Sequence, residues 1–175
     1  YAEHASTGVL CIGYAVGDDE PEIWTPGMVP PEILFDGARD PSVRFHAFNV
    51  GFERRIWHFI LRNKHKWPDT EIDKWFDTQA DAYAMGMPGS LKLCAQALKV
   101  EEKKDASGTR LISKLCKPIK GTHPPEFREK LDFYDDYLEM YSYCKQDVRT
   151  ERAVSKALTV ATTASGQGRR VWMMT

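Results

Sequence analysis

The most constraining feature of this sequence is a short alternating segment that runs without a break into an amphipathic helix. Residues 43–48, Val-Arg-Phe-His-Ala-Phe, alternate between apolar and polar side chains, as a half-buried strand does. The segment 49–53, Asn-Val-Gly-Phe-Glu, follows at once. Beyond it, apolar residues recur on one side of a helix: Phe52, Ile56, Phe59 and Ile60. A strand that passes directly into a helix indicates a sheet with helices packed against it.

Other segments predict further strands of the same sheet. The continuous apolar run at 9–16 predicts a buried strand, and the turn at 17–20 leads to a hairpin partner at 22–25. A short strand is predicted at 75–76. The predicted fold class is therefore α/β, with one sheet between helices.

Capping residues and periodicity predict the helices that follow. Two prolines at 30–31 open a short helix, and Asp77 and Ser90 are suited to cap two more. The longest helical stretch is predicted from Pro125 to about Leu158. Its apolar stripe, at steps near three and a half, consists of Phe127, Leu131, Tyr134, Leu138, Tyr141 and Val148.

Composition narrows the function classes without choosing one. Hydrophobic residues make up 42% and charged residues 28%, a balance typical of a globular domain. No apolar run approaches the roughly 20 residues that span a bilayer. The net charge of −1 does not single out a nucleic-acid binder. The cysteines lack a C-x-x-C pair and are interpreted as core thiols in a reducing compartment: Cys11, Cys94, Cys116 and Cys144.

Two short motifs carry groups suited to catalysis. Glu53 follows the strand at 43–48, and open α/β folds bind ligands where such strands end. Tyr143 and Asp147 lie one turn apart on the long helix, so the phenol and the carboxylate share a helix face. Each motif alone is common in proteins that are not enzymes.

Taken in order, the two motifs resemble the second and third motifs of the DEDD exonuclease superfamily, in its tyrosine-containing branch. The resemblance extends to the 3′→5′ exonuclease-like domain of phage-type family A DNA polymerases. It covers most of the chain to about Leu158, and the matching segments are 1–12, 86–91, 104–111, 115–118 and 143–151. It implies a ribonuclease H-like mixed sheet flanked by helices.

The resemblance also implies a reaction. Such exonucleases hydrolyse the terminal phosphodiester between two divalent cations, and Mg²⁺ or Mn²⁺ suits carboxylate ligands. Asp147 is then expected to hold the cation that carries the attacking water, and Tyr143 to orient that water. Glu53 is expected to support the second cation.

The chain departs from the superfamily pattern in two ways. Glu53 stands where the pattern has aspartate. An Asp-x-Glu strand, on which the resemblance places ligands for both cations, does not precede the run at 9–16. The first strand and part of the two-metal site are therefore expected to be missing, which predicts little or no activity. The exonuclease-like domain is predicted at 1–160, with a linker and the start of a truncated polymerase region at 161–175.

The expected substrate is a single-stranded 3′ end of DNA. Asn49 and Phe52 lie in the second motif, and His46 and Phe52 offer rings for base stacking. The segment from Lys103 to Lys120 is basic and could follow a phosphate backbone, with Lys104, Arg110 and Lys117 as contacts. A solvated helix face explains the same charges.

Two alternatives remain open at this point. The domain could be a catalytically degenerate scaffold or DNA-binding module of the polymerase, or an RNA-trimming exonuclease of the same superfamily, since the motifs act on the phosphate rather than on the 2′ position. In each polymerase case the partner is the polymerase domain of the same parent chain. No membrane partner is expected, and the expected location is the cytoplasm of a bacterial or phage-infected cell.

Overall fold

Five strands form one mixed sheet. The computed structural model describes residues 2–100, 108–161 and 169–175. The strands are β1 (Ile12–Val16), β2 (Glu22–Trp24), β3 (Val43–Ala47), β4 (Trp75–Asp77) and β5 (Arg169–Met174). Their order in the sheet is β2-β1-β5-β3-β4. β3 runs parallel to both β4 and β5, whereas β1 runs antiparallel to β2 and β5.

Seven α-helices lie within the described residues. They are α1 (Glu32–Phe35), α2 (Val50–Ile56), α3 (Asn63–His65), α4 (Thr78–Ala84), α5 (Leu91–Ala97), α6 (Gly108–Leu115) and α7 (Tyr134–Ala161). A π-helical segment, Trp57–Arg62, joins α2 to α3. The predicted caps are confirmed: the Asp77 side chain accepts a hydrogen bond from Gln79 N, and the Ser90 side chain accepts one from Leu93 N.

Helices cover both faces of the sheet. On one face, Phe45 of β3 and Val171 of β5 pack with Trp57 and Leu61 of the π-helical segment. On the other face, Val148 of α7 packs with residues of β1 and β5. The α/β prediction is confirmed, and a five-stranded mixed sheet flanked by helices is consistent with a ribonuclease H-like fold.

The apolar stripe predicted for the long helix is wrong over its first part. The α-helix begins at Tyr134 rather than near Pro125, and Leu131 is 90% exposed. Tyr134 and Leu138 are also exposed. The buried side chains of this part include Tyr137, Met140 and Cys144, which pack against α6. The stripe is displaced because α6, which the sequence did not predict as a separate helix, covers a neighbouring face of α7.

Residues 169–174 lie in the middle of the sheet, between β1 and β3. The sequence predicts this segment as the start of a second region, so its central position is a finding that the sequence did not anticipate. Val171, Trp172 and Met173 are buried there. Pairing with β5 satisfies backbone groups that β1 and β3 would otherwise leave open at their edges. The predicted linker at 162–168 lies outside the described residues, and the boundary at residue 160 stays a prediction.

The cysteines behave as the core thiols that the sequence predicts. All four are free, with Cys11, Cys94 and Cys144 buried and Cys116 half-buried. The Sγ atoms of Cys11 and Cys144 are 3.5 Å apart, where β1 meets α7. None of the helices in the described ranges has both the length and the apolar character needed to cross a membrane.

Candidate functional site

A cleft opens where the three parallel strands end. Since β3, β4 and β5 are mutually parallel, their carboxyl ends lie at the same edge of the sheet, which is where open α/β folds bind ligands. The cleft has a volume of about 240 Å³. The residues that line it follow these strands or begin the next helices, and they include Asn49, Phe52, Glu53, Gln79, Ser90 and Thr175.

Asn49 makes the tight turn from β3 into α2. Its backbone is left-handed, with φ 74° and ψ 60°, a conformation that asparagine tolerates better than most residues. The backbone N–H of Asn49 donates to Asp77 Oδ1 at 3.0 Å, and the same oxygen accepts from Gln79 N at 2.9 Å. Asp77 therefore joins the β3–α2 turn to the start of α4, and Phe52 and Glu53 follow within the first turn of α2.

Glu53 lines the cleft but is only 2% exposed. Its carboxylate accepts backbone hydrogen bonds from its own N–H and from that of Thr175. Oε2 is buried and has no hydrogen-bond partner among the described residues. Burial raises the pKa of Glu53 to about 8, and the nearby charge of Asp77 acts in the same direction. At neutral pH this carboxyl group therefore holds a proton unless a cation replaces it.

The structure buries Tyr143 and Asp147, the two residues that the sequence predicts on one face of the long helix. Both lie on α7, and neither is among the residues that line the cleft. Tyr143 packs in the cluster that joins α6 and α7, beside Leu111 and Leu115. Their predicted catalytic roles stay predictions.

Glu151 is a buried acid of this region to which the motifs assign no role. It follows Asp147 by one turn of α7 and is completely buried. The Phe48 N–H donates to its carboxylate, and Thr78 Oγ1 lies 3.4 Å from Oε1. Burial raises its pKa well above the usual range, and the charges of Glu53 and Asp77 raise it further. The sequence indicated Glu151 only through its four-residue spacing from Asp147, which places both acids on one face of α7.

Glu53 lies on α2 and Glu151 on α7, and the charge of Glu53 acts on the carboxyl group of Glu151. Carboxylates suit hard divalent cations, and each of these residues has a buried oxygen, Oε2, without a hydrogen-bond partner in the described residues. However, no three His, Cys, Asp or Glu side chains in the described ranges are grouped as a metal site. The described residues therefore do not form a metal site by themselves, and the two-cation site stays a prediction.

The predicted substrate-binding residues are distributed more widely. Asn49 and Phe52 line the cleft. His46 instead contacts Phe76 and Trp172, with ring centroids at 5.1 and 4.5 Å. Burial lowers the pKa of His46 to about 4, and the charge of Arg170 contributes to the same effect. This ring is thus in contact with the protein's own aromatic side chains, although its predicted role in base stacking is untested.

The basic contacts lie on α6 or beyond it. Arg110 forms ion pairs with Asp136, at 3.0 Å, and with Glu139 of α7. Lys117 Nζ donates to Ser113 Oγ at 3.2 Å. Neither side chain is among those lining the cleft, and Lys104 lies outside the described residues. Their predicted contacts with DNA therefore stay predictions.

The fold and the cleft describe an α/β protein with a five-stranded mixed sheet, consistent with a ribonuclease H-like fold, and with acids at the carboxyl ends of parallel strands. The chain is similar to the DNA polymerase of Bacillus phage SP02, at 31% identity over an alignment of 175 positions. This alignment covers 91% of the chain and 24% of the polymerase, so the chain spans about a quarter of the length of that relative. No protein-family model and no solved structure gives a significant match.

Proposed function

We propose that this chain is the 3′→5′ exonuclease domain of a phage-type DNA polymerase and acts on single-stranded 3′ ends in the cytoplasm of the infected cell. The observation that carries the proposal is the cleft acid Glu53 at the carboxyl ends of parallel strands, whose charge acts on the buried acid Glu151 of α7. The similarity to a phage DNA polymerase over most of the chain supports the same reading.

In this proposal the acids of α2 and α7 hold divalent cations. Glu53 would support one cation at the cleft, Asp147 would hold a second, and Tyr143 would orient a water molecule. When bound, such cations lower the pKa of water and stabilise the leaving 3′ oxygen. Asn49 and Phe52, which line the cleft, would contact the terminal nucleotide.

A catalytically degenerate, DNA-holding domain is the second candidate. It is favoured by the incomplete grouping of metal ligands in the described residues and by the burial of Tyr143 and Asp147. RNA trimming is less favoured because the relative is a DNA polymerase.

The decisive measurements are Mn²⁺ binding by calorimetry and the digestion of labelled single strands in Mn²⁺. The exonuclease proposal expects a cation site that is weakened in Glu53→Gln and in Asp147→Asn. Glu129→Gln is the matched control, because Glu129 is an exposed glutamate outside the cleft. Any digestion is expected to be slow and to require Asp147.

The outcomes separate the candidates. Absence of Mn²⁺ binding with retained single-strand binding would support the degenerate domain. Faster digestion of RNA than of a matched DNA strand would support RNA trimming. Strong digestion that survives Asp147→Asn would place the chemistry at a different site.

A further inference from the structure

We infer that Tyr83 binds an unpaired base of single-stranded DNA at the rim of the cleft, by stacking its ring on the base. The inference rests on the proposed function, because it assigns a further substrate contact to the same cleft. It goes beyond the sequence motifs, which offer only His46 and Phe52 for base stacking and give Tyr83 no role.

Tyr83 lies on α4, the helix that starts at the cleft edge of the sheet. α4 begins directly after β4, and Gln79 in its first turn lines the cleft. Tyr83 follows Gln79 by four residues, so the two side chains lie on the same face of the helix. Tyr83 is therefore one helical turn away from a residue of the cleft wall.

The ring of Tyr83 also lies against Gly89, another residue that lines the cleft. A Cβ atom added to Gly89 would overlap the ring and its hydroxyl group. The Gly89 carbonyl accepts a hydrogen bond from Nε2 of Gln79 at 2.6 Å, which holds the segment between α4 and α5 against α4. Because the ring contacts Gly89 and lies one turn from Gln79, it is at the rim of the cleft.

Most of Tyr83 is accessible to solvent, since the residue is 59% exposed. Tyr14 and Tyr137, by contrast, are buried, and their hydroxyl groups donate to Glu22 and to the backbone carbonyl of Arg128. Buried tyrosines of this kind serve the core and its hydrogen bonds. The ring of Tyr83 is instead open to a ligand.

The aromatic side chains at the cleft indicate the class of ligand. Phe52 of α2 is half-buried and lines the cleft, so aromatic rings from two helices, α2 and α4, border it. Stacking on aromatic rings is how proteins bind single strands without reading their sequence, because every base has a flat face. In a duplex these faces are covered by the neighbouring base pairs. An unpaired base therefore fits this rim better than a base pair does.

The test measures the binding of two labelled strands by fluorescence anisotropy in EDTA, so that no divalent cation is available. One strand is an oligothymidylate of about ten nucleotides, a length within the range that single-strand-binding domains cover. The other strand has the same length and phosphates but consists of abasic residues. We expect Tyr83→Ala to bind the oligothymidylate about 5–150-fold more weakly, the cost of losing one stacked base. The same variant should bind the abasic strand as the unchanged chain does.

Further variants separate the ring from the fold. Tyr83→Phe keeps the ring and should bind the oligothymidylate nearly as tightly as the unchanged chain. Tyr83→Leu keeps apolar bulk beside Gly89 without an aromatic face, and should lose affinity as Tyr83→Ala does. Tyr134→Ala is the matched control, because Tyr134 is also more than half exposed but lies on α7 and is not among the residues that line the cleft. If Tyr83→Ala does not fold, the comparison of the Phe and Leu variants decides.

Two outcomes would overturn the inference by showing that Tyr83 only supports the segment between α4 and α5. One is an equal loss of affinity for both strands in Tyr83→Ala. The other is binding of the oligothymidylate by Tyr83→Leu that is as tight as that by Tyr83→Phe.

The remaining outcomes separate the inference from the proposed function. If Phe52→Ala weakens binding of the oligothymidylate and Tyr83→Ala does not, the inference fails and the proposed function stands. If Tyr83 gives base-dependent binding but no strand is digested in Mn²⁺, the inference stands and the exonuclease proposal fails. If the unchanged chain binds neither strand, both fail.

Discussion

A Cβ atom added to Gly108 would overlap the ring of Tyr143. Gly108 is the first residue of α6, and the Tyr143 ring is buried beside Leu111 and Leu115 of the same helix. The ring therefore occupies the space that any side chain at position 108 would need. The absence of a side chain at Gly108 is what allows α6 to pack on the tyrosine to which the proposed mechanism gives a role.

Gly108→Ala should destabilise the protein despite the better helix propensity of alanine. Replacing glycine within a helix gains about 1 kcal/mol, whereas overpacking a filled core costs about 1–3 kcal/mol. Urea unfolding should therefore show a net loss. Gly8→Ala is the control, because nothing lies within 4 Å of a Cβ there. Combining Gly108→Ala with Tyr143→Leu should recover part of the stability that Gly108→Ala loses. If the two changes in the free energy of unfolding were strictly additive, that would contradict the contact between position 108 and the Tyr143 ring.

Asn49 should tolerate glycine better than alanine. The left-handed backbone at Asn49 costs most L-residues about 1–2 kcal/mol, and glycine adopts it freely. No side-chain cap hydrogen bond is lost in either variant. We expect Asn49→Gly to unfold at nearly the unchanged urea concentration and Asn49→Ala to lose about 1 kcal/mol. Asn63→Ala, at an exposed position with φ −77°, is the control. Equal stability of the two Asn49 variants would argue against the strained turn.

Local features of the fold were predictable because local chemistry determines them. The β3–α2 junction follows from an alternating segment and an adjoining helical stripe. The caps at Asp77 and Ser90 follow from side chains that satisfy backbone N–H groups a few residues away. Glu53 could be assigned to a cleft for the same reason, since its position at a strand end is set by its neighbours in sequence.

Features that depend on distant segments could not be predicted. The central position of β5 depends on the open edges of β1 and β3, which no local pattern reveals. The burial of Tyr137 and Met140, rather than of Leu138, depends on where α6 packs. Glu151 lies in a segment that the sequence analysis singled out, but its relation to Glu53 arises only when α7 crosses the sheet.

Ionisation of Glu53 should lower the free energy of unfolding at alkaline pH. Its pKa is about 8 in the folded protein and near 4.5 without the fold, so the folded form keeps a proton that the unfolded chain releases. This contribution is fully present below about pH 4.5 and is lost as the pH rises through 8. Each pKa unit corresponds to about 1.4 kcal/mol, so the full effect amounts to a few kcal/mol.

Glu53→Gln provides the comparison, because glutamine stays neutral at every pH. In a metal-free buffer, the free energy of unfolding of the variant relative to the unchanged chain should increase between pH 5 and pH 9. Glu129→Gln should run parallel to the unchanged chain. A difference between Glu53→Gln and the unchanged chain that does not vary with pH would mean that Glu53 is not protonated in the folded state.

Protonation of His46 should lower the free energy of unfolding at acid pH. Its ring contacts Phe76 and Trp172, and its pKa falls from 6.5 to about 4 because burial disfavours the imidazolium ion. The contribution of the neutral ring is present above about pH 6.5 and is lost as the pH falls through 4.

His46→Phe keeps an aromatic ring between its two neighbours and removes the titration. The variant should therefore gain stability relative to the unchanged chain as the pH is lowered from 7 to 4, in urea unfolding at constant ionic strength. His4→Phe, at an exposed position, should show no such trend. If both variants changed alike, the acid sensitivity would arise from general charge rather than from the half-buried imidazole of β3.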